Sequence, residues 1–206
     1  MEKTIITLGR QFGSGGREIG KKLAARLHID YYDKELLQLA AKESGLCTEL
    51  FEKADEKTSV SLLQAFAMGF SMNGVIFQPG DYFTDATLFR VQSDVIRKIA
   101  SEKSCVIVGR CADYILSEEK SCTNIFIHAS QESRIARILR QNPMSEKEAL
   151  EVIRKADKTR ATYYNYYTDK TWGAAASYHL CIDSSVADTD EIVDFIKTFV
   201  EKRHRH

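Results

Sequence analysis

The 206-residue sequence lacks several features that would assign it quickly to a functional class. Lysine plus arginine and aspartate plus glutamate both number 29, so the formal net charge is zero and no bulk attraction to nucleic acid or membranes is expected. No apolar run is long enough to span a bilayer, and the N-terminus lacks the basic start and cleavage site of a signal peptide. These absences predict a cytoplasmic protein without nucleic-acid or membrane partners.

Cysteine is present but without the spacing of a metal site or a redox motif. The chain has five cysteines and no C-x-x-C pair. Cys105 and Cys181 lie in apolar, strand-like runs, where a reduced thiol is expected to pack as a small hydrophobic side chain. Cys111 follows Arg110, and the neighbouring guanidinium is expected to lower the pKa of an accessible thiol there. The cysteines therefore indicate a reduced intracellular protein.

Short apolar runs alternate with helical segments along the chain. The runs are rich in β-branched residues and nearly continuous in apolar character, as expected for strands buried on both faces of a sheet. They cover residues 4–8, 29–32, 105–109, 124–129 and 178–183. The alternation predicts an α/β fold with a parallel five-stranded sheet.

The helical segments carry recognisable start signals, and one region departs from the alternation. Ser130 begins one helix, and the pairs Ser145/Glu148 and Asp188/Glu191 have the spacing of capping boxes. Residues 45–90 combine glycine and proline with mixed aromatic and acidic residues. We predict one domain over residues 1–206, in which 45–90 is an inserted, mostly helical region on the substrate side.

A glycine-rich loop stands between the first predicted strand and the first predicted helix. Backbone N–H groups and the positive end of a helix converge in such a loop, which predicts an anion site. The dinucleotide fingerprint would need glycine or alanine where Glu18 stands, although Asp33 mimics its ribose-binding acid. The sequence fits the mononucleotide P-loop better in length, but it lacks the lysine and the hydroxyl residue of that pattern. A purely structural glycine turn is the third interpretation.

Five stretches, in order along nearly the whole chain, resemble the cytidylate kinase-like branch of the P-loop nucleoside monophosphate kinases. They are GRQFGSGGREIGKKLA, IDYYDKELL, CVIVGRCADYIL, FIHASQESRIARI and DKTRATYYNYYTDKTWG with YHLCIDSS. The resemblance implies a three-layer P-loop NTPase fold, with a monophosphate-binding region within 45–90 and a lid within 140–175. It also implies transfer of a phosphoryl group from ATP to CMP or dCMP, with Mg²⁺.

The resemblance also implies roles for individual residues. Those that match the phosphate loop are Gly13, Ser14, Gly15, Gly16 and Arg17. Asp33 matches the acid that opens the monophosphate-binding region, and Arg110 matches an arginine that contacts the acceptor phosphate. Asp157 and Arg160 match a lid Asp-x-x-Arg pair that engages the acceptor and the phosphates.

Three departures from the family pattern stand in the same stretches. Gly16 occupies the lysine position of the phosphate loop, and Arg17 occupies the hydroxyl position. Cys111 replaces the acid that follows Arg110, although Asp113 lies two residues further on. A second lid arginine is out of register, because Arg154 precedes Asp157 by three residues rather than four.

Phosphoryl transfer requires fixed positive charge and exclusion of water, and arginines at strand ends and helix starts can supply the charge. As catalytic residues we predict Arg17, as the substitute for the lysine, with Arg110, Arg154 and Arg160. The predicted ATP-binding set is the glycine loop with Arg10, Glu18, Arg134 and Arg137. The predicted acceptor-binding set is Asp33, Arg110, Asp113, Asp157 and Arg160.

Structural alternatives exist for several of these residues. Arg10 could cap a turn, Asp33 could cap a helix, and Asp157 with Arg160 could form an ion pair within one helix. The tyrosines at 163–167 suggest packing of the lid against the body, or a subunit contact, rather than base stacking. The sequence assigns neither magnesium ligands nor an oligomeric state.

Two other functions remain compatible with the altered loop. One is a nucleotide-binding regulatory module that has lost catalysis together with the lysine and the hydroxyl. The other is a P-loop kinase whose acceptor is not a nucleotide, which the altered sequence at 109–111 and the region 45–90 would permit. Dependence of ADP release on the acceptor separates these functions from a nucleoside monophosphate kinase.

Overall fold

The computed structural model describes residues 3–33 and 82–203 of the chain. It divides the chain into two compact units, one of Met1–Tyr31 with Lys103–His206 and the other of Tyr32–Glu102. The predicted insertion at 45–90 lies largely outside the described residues. The arrangement of one domain with that insertion stays a prediction.

A five-stranded sheet forms the centre of the fold, and its strands match the five predicted apolar runs. They are β1 (Ile5–Arg10), β2 (Asp30–Tyr32), β3 (Cys105–Val108), β4 (Cys122–His128) and β5 (Leu180–Asp183). The strand order is β2-β3-β1-β4-β5, and β1 pairs in parallel with both β3 and β4. The predicted parallel sheet is therefore confirmed. Because β1 is central, the loop that follows it lies at the middle of the sheet's carboxyl edge, where ligands bind in open α/β sheets.

Six α-helices are found in the part of the chain that the structure describes. They are α1 (Gly16–Leu27), α2 (Tyr82–Glu102), α3 (Ala112–Ile115), α4 (Gln131–Gln141), α5 (Glu146–Thr168) and α6 (Thr189–Arg203). Ser130 accepts a hydrogen bond from the backbone of Ser133, which confirms the predicted start of α4. Both predicted capping boxes also form, one at the start of α5 and the other before α6.

The main core lies between one face of the sheet and the helices α1 and α6. Alternate residues of the inner strands point to this side, and their side chains are almost completely buried. They are Ile6, Leu8, Val106, Val108, Ile125 and Ile127. Helix α1 contributes Ile19 and Leu23, and α6 contributes residues at helical spacing, such as Ile192 and Ile196. This packing fixes the start of α1 against the end of β1.

Helices α4 and α5 form a smaller apolar cluster of their own. Ile138 of α4 packs with Ala149 and Ile153 of α5, and Phe12 from the segment after β1 joins the cluster. The two helices follow each other along the chain and pack together through this cluster. Their packing therefore reaches the glycine loop directly.

In the second unit, helix α2 has one buried apolar face. Val91, Val95 and Ile96 are almost completely buried, and Ile99 follows at helical spacing. The helix begins at Tyr82 and ends at Glu102. Among the described residues, no helix combines the length and the apolar character needed to cross a bilayer.

Candidate active site

The glycine loop (residues 10–17) joins β1 to α1 and adopts the backbone of an anion cradle. Gly13 and Gly15 have φ of 77° and 78°, a left-handed conformation that side chains with a Cβ rarely adopt. Gly15 is also the residue immediately before α1, so the N-terminal N–H groups of this helix face the loop. This arrangement suits a phosphate group in charge and in hydrogen-bonding capacity.

Ser14, the only hydroxyl in the loop, is used to build the loop itself. Its side chain is completely buried, and its Oγ donates to the carbonyl of Gln11 at 2.9 Å. Ser184, after β5, donates its own hydroxyl to the carbonyl of Ser14 at 2.6 Å. These bonds hold the loop in shape from two sides.

Arg137 of α4 lies directly over the glycine loop. Its Nη1 donates to the carbonyl of Gly13 at 2.9 Å, and a Cβ added to Gly15 would be 3.0 Å from its Cζ. The guanidinium thus occupies the space that the absence of a side chain at Gly15 leaves. Since one guanidinium carries five N–H donors, most of them remain for a ligand in the loop.

Arg160 of α5 approaches the same loop from the other helix. Its Nη1 donates to the carbonyl of Arg10 at 3.0 Å, and its Cζ is 5.4 Å from the centre of the Phe12 ring. Burial lowers the pKa of Arg160, and the charge of Asp157 opposes that change. The group still remains a cation, because an arginine pKa lies far above neutral pH.

Arg134 and Asp157 form a buried ion pair that braces the loop. The Arg134 guanidinium donates to one carboxylate oxygen of Asp157 and, at 2.7 Å, to the carbonyl of Phe12. The other carboxylate oxygen accepts from the N–H of Phe12 at 2.7 Å. Both polar groups of the Phe12 backbone are therefore held by one pair of side chains. Asp157 thus forms its ion pair with Arg134 of the neighbouring helix α4. The alternative was an ion pair with Arg160 within α5.

Three further predicted residues lie at the surface. Arg17 and Glu18 are exposed in the first turn of α1, where Glu18 forms an ion pair with Lys22 at 3.8 Å. Arg154 is exposed on α5. Their roles in ATP binding or catalysis stay predictions.

A second turn, the β3 turn (residues 109–111), follows the neighbouring strand. Gly109, Arg110 and Cys111 have φ of 76°, 60° and 56°. For the two residues with a Cβ this conformation costs about 1–2 kcal/mol each, a strain that surrounding structure must offset. The Arg110 guanidinium lies 6.0 Å from the centre of the Tyr163 ring.

Cys111 differs from its sequence-based interpretation. Only 3% of the residue is exposed, and burial raises the pKa of its thiol to about 12 despite the adjacent Arg110. The expectation of an accessible thiol with a lowered pKa is therefore wrong, because desolvation outweighs the attraction of one guanidinium. Cys105 is buried as expected, whereas Cys181 is exposed.

Asp113 is tied to helix α5 by a tyrosine. Its carboxylate accepts a hydrogen bond from the Tyr164 hydroxyl at 2.6 Å. Burial raises the pKa of Asp113, and the bond from Tyr164 opposes the rise. Tyr164 is 4% exposed, and its hydroxyl joins α5 to Asp113 of α3. The packing of a lid against the body stays a prediction.

Asp33 is a buried residue directly after β2 and belongs to the second unit. The helix that it could cap lies outside the described residues. Its roles as an acceptor ligand and as a cap both stay predictions.

A pocket of about 340 Å³ lies on the sheet face opposite the main core. Its lining includes Gln11, Phe126, His128 and Trp172. Trp172 meets Phe126 edge to face, with ring centres 5.4 Å apart. The pocket borders the glycine loop through Gln11, whose side chain also accepts from the N–H of Ala129 at 3.2 Å.

Sequence reasoning missed the residues that shape the site without resembling a motif. Phe12 acts through its backbone and Ser184 through its hydroxyl, and no local pattern exists for such contacts. The one available signal is position, because Phe12 and Ser184 each lie just beyond the carboxyl end of a predicted strand.

No cluster of side chains marks a metal site in the part of the chain that the structure describes. Residues 3–33 and 82–203 contain no group of three or more His, Cys, Asp or Glu side chains that could hold a metal ion. The loop position that usually supplies a hydroxyl is Arg17, and the Ser14 hydroxyl is already bound within the loop.

Comparison with known proteins identifies the family. The cytidylate kinase-like family profile matches residues 5–186. A cytidylate kinase from Methanosarcina barkeri (strain Fusaro / DSM 804) is 26% identical over 197 residues, which cover 95% of this chain and 96% of that protein.

Solved structures agree on the fold. An uncharacterized protein from Eubacterium ventriosum ATCC 27560 is 30% identical, with a TM-score of 0.72 and coverage of 97% of this chain and 99% of that one. A shikimate kinase from Bacteroides thetaiotaomicron has a TM-score of 0.53 at 15% identity, over 96% and 98% of the two chains, which shows the shared P-loop kinase fold. The family and the fold together support a nucleotide-binding, kinase-type phosphotransferase. This chain belongs to the cytidylate kinase-like family.

Proposed function

We propose that the protein transfers the terminal phosphoryl group of ATP to a nucleoside monophosphate, with CMP or dCMP as the preferred acceptor. The observation that carries the proposal is a glycine loop approached by arginines from three elements: Arg10 from β1, Arg137 from α4 and Arg160 from α5. A loop that collects this much positive charge suits a triphosphate. The named activity of the Methanosarcina barkeri relative supports the choice of a cytidine nucleotide.

The donor half of the site follows from the loop. The N–H groups around Gly13–Arg17 would cradle the ATP phosphates, and Arg137 would add donors from above. Arg134 would act indirectly, because its bonds to Phe12 and Asp157 keep the loop in shape. We assign Glu18 no direct contact with phosphate, since two negative groups repel.

The acceptor half would lie at the β3 turn and beyond it. Arg110 would bind the acceptor phosphate, with Asp113 following it in α3. The predicted role of Asp33 as an acceptor ligand rests on the family resemblance alone. Arg160 and Arg154 would approach when the lid closes over both substrates. Asp157 would contribute by holding the lid helix to the loop rather than by contacting the acceptor.

The reaction then needs little chemistry from side chains. An oxygen of the acceptor phosphate attacks the terminal phosphorus of ATP in line, and the bond to the bridging oxygen of ADP breaks. The attacking oxygen is already largely deprotonated at neutral pH, since the second phosphate pKa is about 6. No general base is required, so positioning and positive charge carry the catalysis.

The test is ADP release from ATP–Mg²⁺ with CMP, dCMP, UMP, AMP and GMP in turn. We expect strong stimulation by a cytidine monophosphate, and an Arg110→Gln variant should raise KM for that acceptor far more than KM for ATP. Arg140→Gln, an exposed change on α4, is the matched control for loss of an arginine.

Other outcomes of this assay point to the other two functions. Protein that binds ATP but releases no ADP with any acceptor would indicate a regulatory module. Release that is stimulated only by a non-nucleotide acceptor would keep the kinase reaction and refute the monophosphate proposal.

A further inference from the structure

The glycine loop contains an exchange of two residue types. In the P-loop pattern G-x-x-x-x-G-K-[ST], a lysine position at 16 puts the two glycine positions at 10 and 15. Position 15 is glycine, but position 10 is Arg10 and position 16 is Gly16. A cation therefore stands where the pattern has glycine, and glycine stands where the pattern has its cation.

The two exchanged positions touch each other in the fold. A Cβ added to Gly16 would lie 2.6 Å from Cβ of Arg10 and 3.1 Å from its Cγ. These atoms belong to the root of the arginine side chain, which cannot swing away as a flexible tip could. Side chains at both positions would therefore collide. An arginine at position 10 therefore requires a glycine at position 16.

A second glycine makes room for the charged end of Arg10. A Cβ added to Gly109 would lie 2.0 Å from Nη1 of Arg10 and 3.1 Å from its Cζ. Gly109 follows β3, and its N–H donates to the carbonyl of Leu8 in β1 at 3.0 Å. The guanidinium thus lies across the carboxyl ends of two neighbouring strands, between the glycine loop and the β3 turn.

The backbone of Arg10 is fixed as well. Its carbonyl accepts the 3.0 Å hydrogen bond from Arg160, so one arginine positions another at the centre of the sheet edge. Arg17, the alternative cation, is exposed in the first turn of α1. Only Arg10 lies in a slot that two glycines leave open for it.

We propose that Arg10, rather than Arg17, takes the place of the P-loop lysine and binds the phosphoryl group that passes from ATP to the acceptor. The inference rests on the proposed phosphoryl transfer for its catalytic part. A guanidinium can bind two phosphate oxygens at once, so one residue between the two loops can stabilise the charge during transfer.

The test moves the cation back to its usual position. The variants are Arg10→Gly, Gly16→Lys and the double variant R10G/G16K, with Arg140→Gln as the control, each checked for folding by circular dichroism and thermal unfolding. We expect Arg10→Gly to lower kcat about 10²–10³-fold, as for loss of one donor to a developing charge. Gly16→Lys should also lose activity through the collision with Arg10. The double variant should recover at least about tenfold over Arg10→Gly, because its lysine replaces the lost charge.

A purely structural role for Arg10 predicts a different pattern. Moving the cation would then restore nothing, so a double variant no more active than Arg10→Gly overturns the proposal. An Arg10→Gly enzyme within about threefold of the wild-type kcat also overturns it. Should a glycine at position 10 prevent folding, Arg10→Gln keeps the stem of the side chain and must show the same loss.

Binding of ATP–Mg²⁺, measured by calorimetry on the same variants, separates this inference from the proposed function. Wild-type protein that binds ATP but releases no ADP refutes the kinase proposal alone. Arg10 is then judged by affinity, which Arg10→Gly should weaken at least about tenfold and the double variant should restore. Unchanged affinity in Arg10→Gly, in such a protein, overturns the inference, and a wild type that binds no ATP overturns both.

Discussion

The glycine loop and the β3 turn follow neighbouring parallel strands, yet they solve the same backbone problem differently. Both contain left-handed residues, but the glycine loop places glycine at each of them, Gly13 and Gly15. The β3 turn places a glycine first and then two residues with side chains, Arg110 and Cys111. One turn avoids backbone strain through residue type, and the other tolerates strain because its surroundings hold it.

Those surroundings also differ in kind. The glycine loop is tied to helices α4 and α5 by charged groups, Arg134 with Asp157 and then Arg160. The β3 turn leads into α3, whose Asp113 is tied to α5 by the single hydroxyl of Tyr164. Helix α5 thus holds both turns, the glycine loop through the charged side chains of Asp157 and Arg160 and the β3 turn through the phenol of Tyr164. We therefore expect loss of the ion pair at the glycine loop to destabilise the fold more than loss of the tyrosine hydrogen bond at α3.

The largest effect should come from breaking the brace of the glycine loop. Arg134→Met leaves the Asp157 carboxylate without its buried partner, and we expect a loss of about 3–5 kcal/mol in the free energy of unfolding, measured with urea. Arg140→Met on the exposed part of α4 should change it by less than about 0.5 kcal/mol. A loss below about 1 kcal/mol in Arg134→Met would show that the ion pair does not hold the loop.

Loss of the hydrogen bond between Tyr164 and Asp113, beside the β3 turn, should lower the free energy of unfolding by an intermediate amount. Tyr164→Phe removes the hydrogen bond to the Asp113 carboxylate, and we expect a loss of about 1.5–3 kcal/mol at neutral pH. Tyr166→Phe is the matched control, because Tyr166 is 68% exposed.

The loss of stability in Tyr164→Phe should depend on pH, and the raised pKa of Asp113 gives the sign. The raised pKa of Asp113 means that the native state binds the extra proton, so stability falls as pH rises from the ordinary carboxyl pKa through the raised one. Tyr164→Phe raises that pKa further, so the difference between wild type and variant should widen as pH rises. Urea unfolding at about pH 5 and about pH 8 measures it, and a difference independent of pH would contradict the role of Asp113.

A side chain in the glycine loop should have a smaller effect on stability but a clear effect on binding. Gly13→Ala forces a Cβ into the left-handed conformation, 3.1 Å from the carbonyl oxygen of Arg134. We expect a loss of about 1–2 kcal/mol and weaker ATP binding, measured by thermal unfolding and calorimetry. Gly20→Ala, inside α1, should change both less. Equal effects at the two glycines would refute the conformational argument.

The smallest change in stability should come from the β3 turn itself. Asparagine tolerates the left-handed conformation better than arginine, so Arg110→Asn should stabilise the fold slightly, by at most about 1 kcal/mol. The same variant should raise KM for the acceptor if Arg110 binds its phosphate. A clear loss of stability would instead show that contacts of the Arg110 side chain hold the turn.

The elements of this fold were predictable because their signals are local. Each strand is a short apolar run, and each confirmed cap joins residues three positions apart, as in Ser145 with Glu148. The glycine loop was recognisable for the same reason, since left-handed positions favour glycine. The β3 turn was not recognisable as strained, because Arg110 and Cys111 carry no such mark.

The sequence by itself determined the order of strands and helices along the chain, the three capped helix starts and the position of the glycine loop. Only the tertiary structure decided what each arginine does. Arg134 meets an aspartate 23 residues away, and that aspartate holds a backbone N–H 145 residues away. Arg10 fills a slot left by one glycine near it in sequence and another just after the strand β3. Such contacts depend on how distant segments pack, and no local period or cap encodes them.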